Sequence, residues 1–373
     1  MKICFITPYP LRSISGVTRI VTDLCKGLKE RGIDHLVISG RLEDEIEKDK
    51  SIEAMEINVL RYTNFKDIVV ALKTVFYLFK HRRDFDLLHL HSPHLQPMMS
   101  AIFGKILKKP VITTFHGKFP KPKNVIRSLF FWITIKGTIA FSDKITFVDE
   151  TAKKYYKVQS GEVIENGIDT GFFSPNPKIR KKMRTKLGLS QNDIVLLYVG
   201  RLAANKGIYD LLKAFSEVRA KSSDKLKLMY VGSGEIETLL KRIKSIGLEN
   251  DVLVFRATNE IKPYYCTSDV FVLYSGFEGL SIALLEASSC GLVTISTKMG
   301  GIPNFIKDGE NGLLLDYGDR KGLIYKIKRA VEDEKLRSYL GNNARERVLK
   351  NYSIEKTIDN YVNLYNILLQ YKK

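Results

Sequence analysis

Apolar residues fall into short unbroken blocks along this chain, and between the blocks they recur at every third or fourth position. "KICFIT" opens it as a buried strand, and "GVTRIVTDLCKGLKERG" follows as an amphipathic helix that Gly32 stops. Strand-like blocks return at "HLVIS", "INVL", "LLHLH", "VITTF", "KITFV" and "EVIEN", with helical spacing between most of them. That alternation predicts a parallel sheet flanked by helices. "ENGIDTGFFSPNPKIR", residues 165–180, breaks the pattern with Gly, Asn, Asp and two prolines and reads as an interdomain linker. A second series then starts: "IVLLYVG", "LKLMYVG", "VLVF", "VFVLYS", "VTIS" and "GLLL", again separated by helices. Two of its strands end in the same "YVG", each followed by a loop and a helix. The pattern predicts a second doubly wound α/β domain, in which ligands bind beyond the carboxyl ends of the strands. The ending "SIEKTIDNYVNLYNILLQYKK" is one amphipathic helix, with Ser353 as its cap and Glu355 close behind. The expected division is residues 1–165 for the first domain, 166–190 for the linker and 191–352 for the second domain. Residues 353–373 are expected to pack back onto the first.

Length and composition agree with two domains. The chain has 373 residues, 44% hydrophobic and 27% charged, which reads as soluble and globular. The net charge of +19 points to an anionic partner: nucleotide phosphates, a phospholipid surface or nucleic acid. Cys4, Cys25, Cys266 and Cys290 are scattered inside strand-like or helix-like patterns, as expected of buried thiols in a reducing compartment. "MKICFITPYP" opens directly as a strand, so no signal peptide is expected and the location reads as cytoplasmic. The most apolar run, "SLFFWITIKGTIAF", is shorter than the ~20 residues needed to span a bilayer, and Lys136 interrupts it.

The chemistry gathers in the second domain. "VGRLAANKG" follows its first strand, placing Arg201 at the strand end and Lys206 at the start of the next helix. Two fixed cations beside a helix N-terminus make an anion site suited to a diphosphate; the competing reading is two ordinary surface charges. "GFEGLSIALLEASSCG" holds Glu278 in a Gly-rich loop and Glu286 in the helix after it. Backbone N–H groups near Leu280, Ser281 and Ile282 are then free for phosphate oxygens. Eight residues of partly helical chain cover ~10–12 Å, comparable to the separation of the two sugars in a sugar nucleotide. One carboxylate can take hydroxyls of the transferred sugar and the other those of the ribose. A solvated helix charge is the ordinary fate of a residue such as Glu286.

These stretches, with "SISGVTRIVTDLCKGL", "TFHG", "ENGID" and "GLVTISTKMGGIPNFIKDGENGLLL", together resemble the retaining GT-B-fold glycosyltransferases of glycosyltransferase family 4. The resemblance covers nearly the whole chain. It implies two Rossmann-like domains facing across a cleft, the donor on the second and the acceptor on the first. It implies that Gly16 lets the backbone approach the donor phosphates, and that Arg201 and Lys206 hold the diphosphate. Glu278 would contact the donor sugar with the backbone of Gly279, Leu280, Ser281 and Ile282 around it, and Glu286 the ribose. His116 would stand near the donor sugar, and "FRATN", residues 255–259 with Ala257 at its centre, would contact the base. The sequence departs from the family at Asn304, where a glutamate is usual, and at Glu165, where proline is usual. The implied reaction transfers a hexose-type sugar with retention from a nucleotide-sugar donor, taken as UDP-linked, to a glycan or lipid-linked acceptor. No cofactor and no metal are implied.

Other readings compete. His89, His91 and His94 in "HLHSPH" resemble metal ligands but have no carboxylate beside them, and Asp84 and Asp86 precede a strand and read as surface residues. Residues 57–142 carry 14 Lys or Arg against three Asp, a balance of +11, with aromatics interleaved. Lys118, Lys121, Lys123 and Arg127 beside Phe119, Phe130, Phe131 and Trp132 read as a contact for an anionic membrane surface. A solvated basic face over core aromatics is the alternative. A sugar-nucleotide epimerase of the same fold remains a rival. A nucleic-acid-binding protein is another, which the charge permits although no nucleic-acid module is recognisable, so no nucleic-acid partner is expected.

Overall fold

The computed structural model describes residues 1–9, 16–42, 54–59, 66–118, 122, 124–221 and 226–371. The chain forms two compact units, Met1–Asn166 with Ile354–Lys373, and Gly167–Ser353.

All thirteen strand-like blocks form strands. In the first unit these are β1 (Lys2–Thr7), β2 (Asp34–Leu42), β3 (Ala54–Val59), β4 (Leu87–His91), β5 (Val111–Phe115), β6 (Lys144–Phe147) and β7 (Glu162–Val163). In the second they are β8 (Ile194–Val199), β9 (Leu226–Gly232), β10 (Val252–Arg256), β11 (Val270–Leu273), β12 (Val293–Thr297) and β13 (Leu313–Leu315). The sheets run β3-β2-β1-β4-β5-β6-β7 and β10-β9-β8-β11-β12-β13. Every neighbouring pair is parallel. Helices cover both faces of such sheets, so central strands are apolar on both sides: β1 and β4 are buried almost throughout, as are β8 and β11. Strand order reverses between β1 and β4 and again between β8 and β11. A crevice opens at each reversal because consecutive loops leave in opposite directions.

The last helix, Ile354–Gln370, belongs to the first unit. Its buried Tyr361 and Tyr365 reach the sheet: Tyr361 Oη lies 3.0 Å from Thr114 Oγ1, and Tyr365 Oη 2.7 Å from His89 Nδ1. Arg31 and Asp359 add an ion pair at 2.7 Å.

Of residues 166–190, read as a linker, all but the first are part of the second unit. Asn176 caps a helix, Pro177–Lys186, by accepting from Ile179 N at 3.0 Å, and Pro177 sits at its first position. Arg184, fully buried, donates to the carbonyls of Thr267, Ser190, Gln191 and Asp193 and to Asp269. The helix is therefore tied to the sheet and does not act as a tether.

Candidate active site

The loops after β8 and β11 meet at the second unit's reversal point. The doubled "YVG" explains how the first is held. Tyr198 and Tyr230 are buried with ring centroids 5.8 Å apart, and their hydroxyls donate to the carbonyls of Arg201 at 2.9 Å and Ile208 at 2.8 Å. Burial foremost, then the Glu278 charge, pushes the Tyr198 phenol up, so it stays a neutral donor. Leu202 N donates to Ser233 O at 2.7 Å, carrying the strand pairing past the sheet end.

A single turn, Ala204–Lys206, then leads into the helix Ile208–Arg219 through Gly207 at φ 69°. A Cβ on Gly207 would lie 1.7 Å from the Tyr274 carbonyl oxygen, so only glycine lets the β8 loop close on the β11 loop. Gly300, after β12, packs as tightly on the other side: a Cβ there would lie 2.1 Å from the Glu278 carbonyl oxygen. The segment carrying Glu278 is thus clamped between backbones.

This clamp joins two of the predicted residues. Lys206 Nζ lies 2.7 Å from Glu278 Oε1 and 2.8 Å from Phe277 O, and both charged side chains are mostly shielded from solvent. An ammonium has three N–H donors. Two are used here, and among the described residues no hydrogen bond takes the third. Arg201 is exposed at the mouth of the same loop. Ser281 precedes the helix Ile282–Ser289 and makes no side-chain cap bond. By helix geometry the N–H groups of the first turn lack carbonyl partners and point, with the positive end of the dipole, out of the helix start. Two cations, one carboxylate and a helix start can hold a diphosphate and offset the charge of a departing one.

Glu286 is not a solvated charge. It is buried, and its Oε2 accepts from the hydroxyl of the buried Tyr265 at 2.7 Å. Tyr265 is a partner that sequence reasoning missed, because nothing local ties "KPYYCT" to "IALLEASS". Ala257 lies just past β10, two strands from β8, roughly 10 Å away by strand spacing. Asn304 is exposed, and its carbonyl accepts from Arg347 at 2.8 Å.

The remaining predicted residues belong to the first unit. Gly16 begins the helix Gly16–Glu30 after β1, beside that unit's reversal point. His116 follows β5 and ends a row of imidazoles. His89, His91 and His116 stack with centroids 4.4 and 5.0 Å apart, and His91 Nδ1 lies 2.7 Å from His116 Nε2. Both ring nitrogens of His89 are engaged, by Tyr365 Oη and Thr114 Oγ1 at 2.7 Å each. His94 stands apart, 3.3 Å from Tyr9 Oη. The "HLHSPH" histidines therefore serve packing and hydrogen bonding, and among the described residues no group of three His, Cys, Asp or Glu is arranged to hold a metal. Burial lowers His116 to about 4 and, followed by the His116 charge, His89 to about 3. A neutral His116 can give or take a hydroxyl hydrogen bond.

These shifts carry a pH prediction. The unfolded chain takes up protons near pH ~6.5, whereas the folded histidines resist until about 4 and about 3. Their contribution is complete above ~6.5 and is lost as pH falls from there toward those values. Urea titrations between neutral and mildly acid pH should show stability dropping by up to about 1.4 kcal/mol per pH unit per histidine. His89→Gln should flatten the slope; an unchanged slope would remove the stack as its source.

Part of the basic patch read from sequence is rearranged. Phe131 and Trp132 are partly buried against the core of the first unit, and only Phe130 of that trio is exposed. Phe119, Lys121 and Lys123 lie outside the described residues. Among the described residues no helix is long and apolar enough to cross a membrane.

Two doubly wound units, one with a cationic, helix-backed crevice where its strand order reverses, are the layout of a GT-B glycosyltransferase. Family models match along both: residues 14–172 fit the model described as Glycosyltransferase Family 4, and residues 179–347 that described as Glycosyl transferases group 1. The chain belongs to the GT-B glycosyltransferases of the family 4 type. It is similar to the N-acetyl-alpha-D-glucosaminyl L-malate synthase of Bacillus anthracis, 28% identical over 98% of this chain and 97% of that one. It is 27% identical to the UDP-Gal:alpha-D-GlcNAc-diphosphoundecaprenol alpha-1,3-galactosyltransferase of Escherichia coli, over 98% and 96% of the two chains. In fold it matches Anabaena HepE in complex with UDP and glucose, with a TM-score of 0.83, 19% identity and coverage of 98% and 99%.

Proposed function

We propose that this glycosyltransferase moves a hexose-type sugar, with retention, from a UDP-linked donor to a glycan or lipid-linked acceptor of surface glycan biosynthesis, without a metal ion. The observation that carries the reading is the Lys206 ammonium, held by Glu278 and the Phe277 carbonyl with one donor to spare, beside Arg201 and a helix start. In this reading Arg201, Lys206 and the first-turn amides bind the diphosphate, Glu278 takes sugar hydroxyls and Glu286 the ribose, with Ala257 near the base. The acceptor hydroxyl attacks the anomeric carbon on the face from which the diphosphate leaves. The bond from that carbon to the phosphate oxygen breaks, and the hydroxyl proton passes to the departing phosphate. The fixed cations meet the negative charge as it develops, which is where such groups lower a barrier most.

The names of the relatives support a sugar-nucleotide donor. The Escherichia coli enzyme uses UDP-Gal and a diphosphoundecaprenol acceptor. The Bacillus anthracis enzyme is named for L-malate, so a small soluble acid is the second reading of the acceptor. The epimerase reading is not favoured by these transferases. A lipid-linked acceptor would put the enzyme at the cytoplasmic face of a membrane.

The reading is tested with paired glutamate variants in buffer containing EDTA. Glu278→Gln should depress turnover, because Glu278 faces the sugar that reacts. Glu286→Gln should mainly weaken the binding of free UDP, because the ribose is unchanged in the reaction. Calorimetry and the anomeric signal in NMR report the two effects. Intact UDP affinity in Glu286→Gln would remove the ribose assignment. Activity lost in EDTA and restored by Mg²⁺ or Mn²⁺ would overturn the metal-free scheme.

A further inference from the structure

Two helices of the first unit bury one apolar side and present a second apolar stripe outward. In Lys66–Lys80, Ile68, Val69, Leu72, Phe76 and Phe79 are all exposed, Leu72 by 56% and Phe76 by 70%. The helical period places these five within about 100° of one another. In Val125–Ala140, Val125, Ile126, Leu129, Phe130 and Ile133 are exposed, Val125 by 82% and Leu129 by 63%, within about 140°. The side of this helix turned inward is apolar as well: Ile135 is buried in the core with Phe131, Trp132 and Ile139 packed against it, and Ser128, Thr134 and Thr138 are buried beside them. Thr134 and Thr138 donate to carbonyls of their own helix at 2.8 and 2.7 Å. The helix is therefore apolar on both sides, whereas a surface helix ordinarily turns a polar face to water.

The two stripes belong to one layer. Between them lies the helix Leu95–Ile106. Its Gln96 donates to Thr74 Oγ1 at 3.0 Å on one side, and its Met98 packs against Gly137 on the other. Phe103 meets Phe79 with ring centroids 6.5 Å apart, and Ile106 is exposed by 67%. A monomer rarely leaves so many large apolar side chains together in water.

Charge identifies what covers them. The three helices carry Lys66, Lys73, Lys80, Lys105, Arg127 and Lys136, with Asp67 as their one acid. Arg82, just beyond, stacks over the Phe79 ring at 4.8 Å. Two copies of this face would set like charges against each other. An anionic surface with an apolar interior satisfies both features at once, since apolar side chains sink past the headgroups while lysines and arginines stay among them.

We propose that the outer layer of helices 66–80, 95–106 and 125–140 is the face by which the enzyme docks on an anionic lipid bilayer. The proposal rests on the reading that the acceptor is membrane-borne. It replaces the aromatic cluster at Phe131 and Trp132 with Leu72, Phe76, Leu129 and their neighbours. The test is co-sedimentation of the full chain with vesicles of phosphatidylglycerol and phosphatidylcholine, against phosphatidylcholine alone, with UDP binding measured on the same samples. The wild type should pellet with the anionic vesicles only, and less as salt rises. Leu72→Ser with Phe76→Ser, both exposed positions, should weaken partitioning by about tenfold or more. Lys73→Ser with Lys80→Ser should weaken it at low salt. UDP binding should be unchanged in all variants. Equal pelleting with both lipids, or wild-type partitioning in the Leu72 and Phe76 variant, sinks the proposal. So does a wild-type dimer that this variant turns into a monomer, which would give the face to a second copy. Vesicle binding without UDP binding would leave this surface standing and defeat the donor reading instead.

Discussion

Lys206→Ala and Arg201→Ala are each expected to lower kcat/KM by ~10²–10³, the range for losing one preorganised donor to developing charge. In the proposed scheme the two cations act at the same stage but are held differently. Lys206 is fixed by Glu278 and Phe277, so its ammonium needs no rearrangement as the diphosphate leaves. Arg201 is exposed, so its removal leaves the packing of the loop in place. Lys206→Ala also strands the Glu278 carboxylate, which raises a second explanation for lost activity. The double variant Lys206→Ala with Glu278→Gln separates them. If the stranded carboxylate were the cause, neutralising it would recover most of the lost rate. If the missing cation is the cause, the loss persists. Turnover within about threefold of wild type in both single variants would take these residues out of the mechanism.

The other large effect concerns stability. Asp269 accepts from Arg180 at 2.7 Å, from Arg184 at 2.8 Å and from Val195 N at 2.8 Å. It joins the helix Pro177–Lys186 to the first residues of β8. Arg184 is fully buried, so Asp269→Ala leaves a guanidinium without its carboxylate in the interior. Removing one partner of a buried pair costs about 3–5 kcal/mol. Urea unfolding followed by tyrosine fluorescence measures this. A loss below about 1 kcal/mol would mean that the four carbonyls around Arg184 suffice, and that the ion pair adds little. The consequence reaches the active site, because β8 carries the loop with Arg201 and Lys206.

The family 4 resemblance was readable because the motifs that carry it are local. So were the strands: each is a short apolar block whose period is set by its own residues, and all thirteen formed where the blocks stand. Arg201, Lys206 and Glu278 could be singled out because each lies in a loop directly after a strand, where open parallel sheets bind ligands. The "linker" misled for a local reason too. Prolines, glycines and asparagines mark caps and helix starts as well as flexible chain, and Asn176 and Pro177 are a cap and a first turn.

What sequence alone determined about this protein is therefore its inventory of strands and helices, its two-unit α/β plan and the loops that carry the candidate site residues. Each of these follows from periodicity and turn chemistry within a few neighbouring residues. Tertiary structure decided which of those loops meet. Lys206 and Glu278 are 72 residues apart and pair because β8 and β11 are sheet neighbours, a fact of strand order. Glu286 turns inward because Tyr265 waits there, and the three histidines stack because β4 and β5 lie side by side. The helix Val125–Ala140 buries Ile135 against the core and sets Gly137 against Met98, which leaves its second apolar stripe, Val125 to Ile133, turned outward. Periodicity reports that a helix has two faces; which one is buried depends on the shape of the partner it packs against.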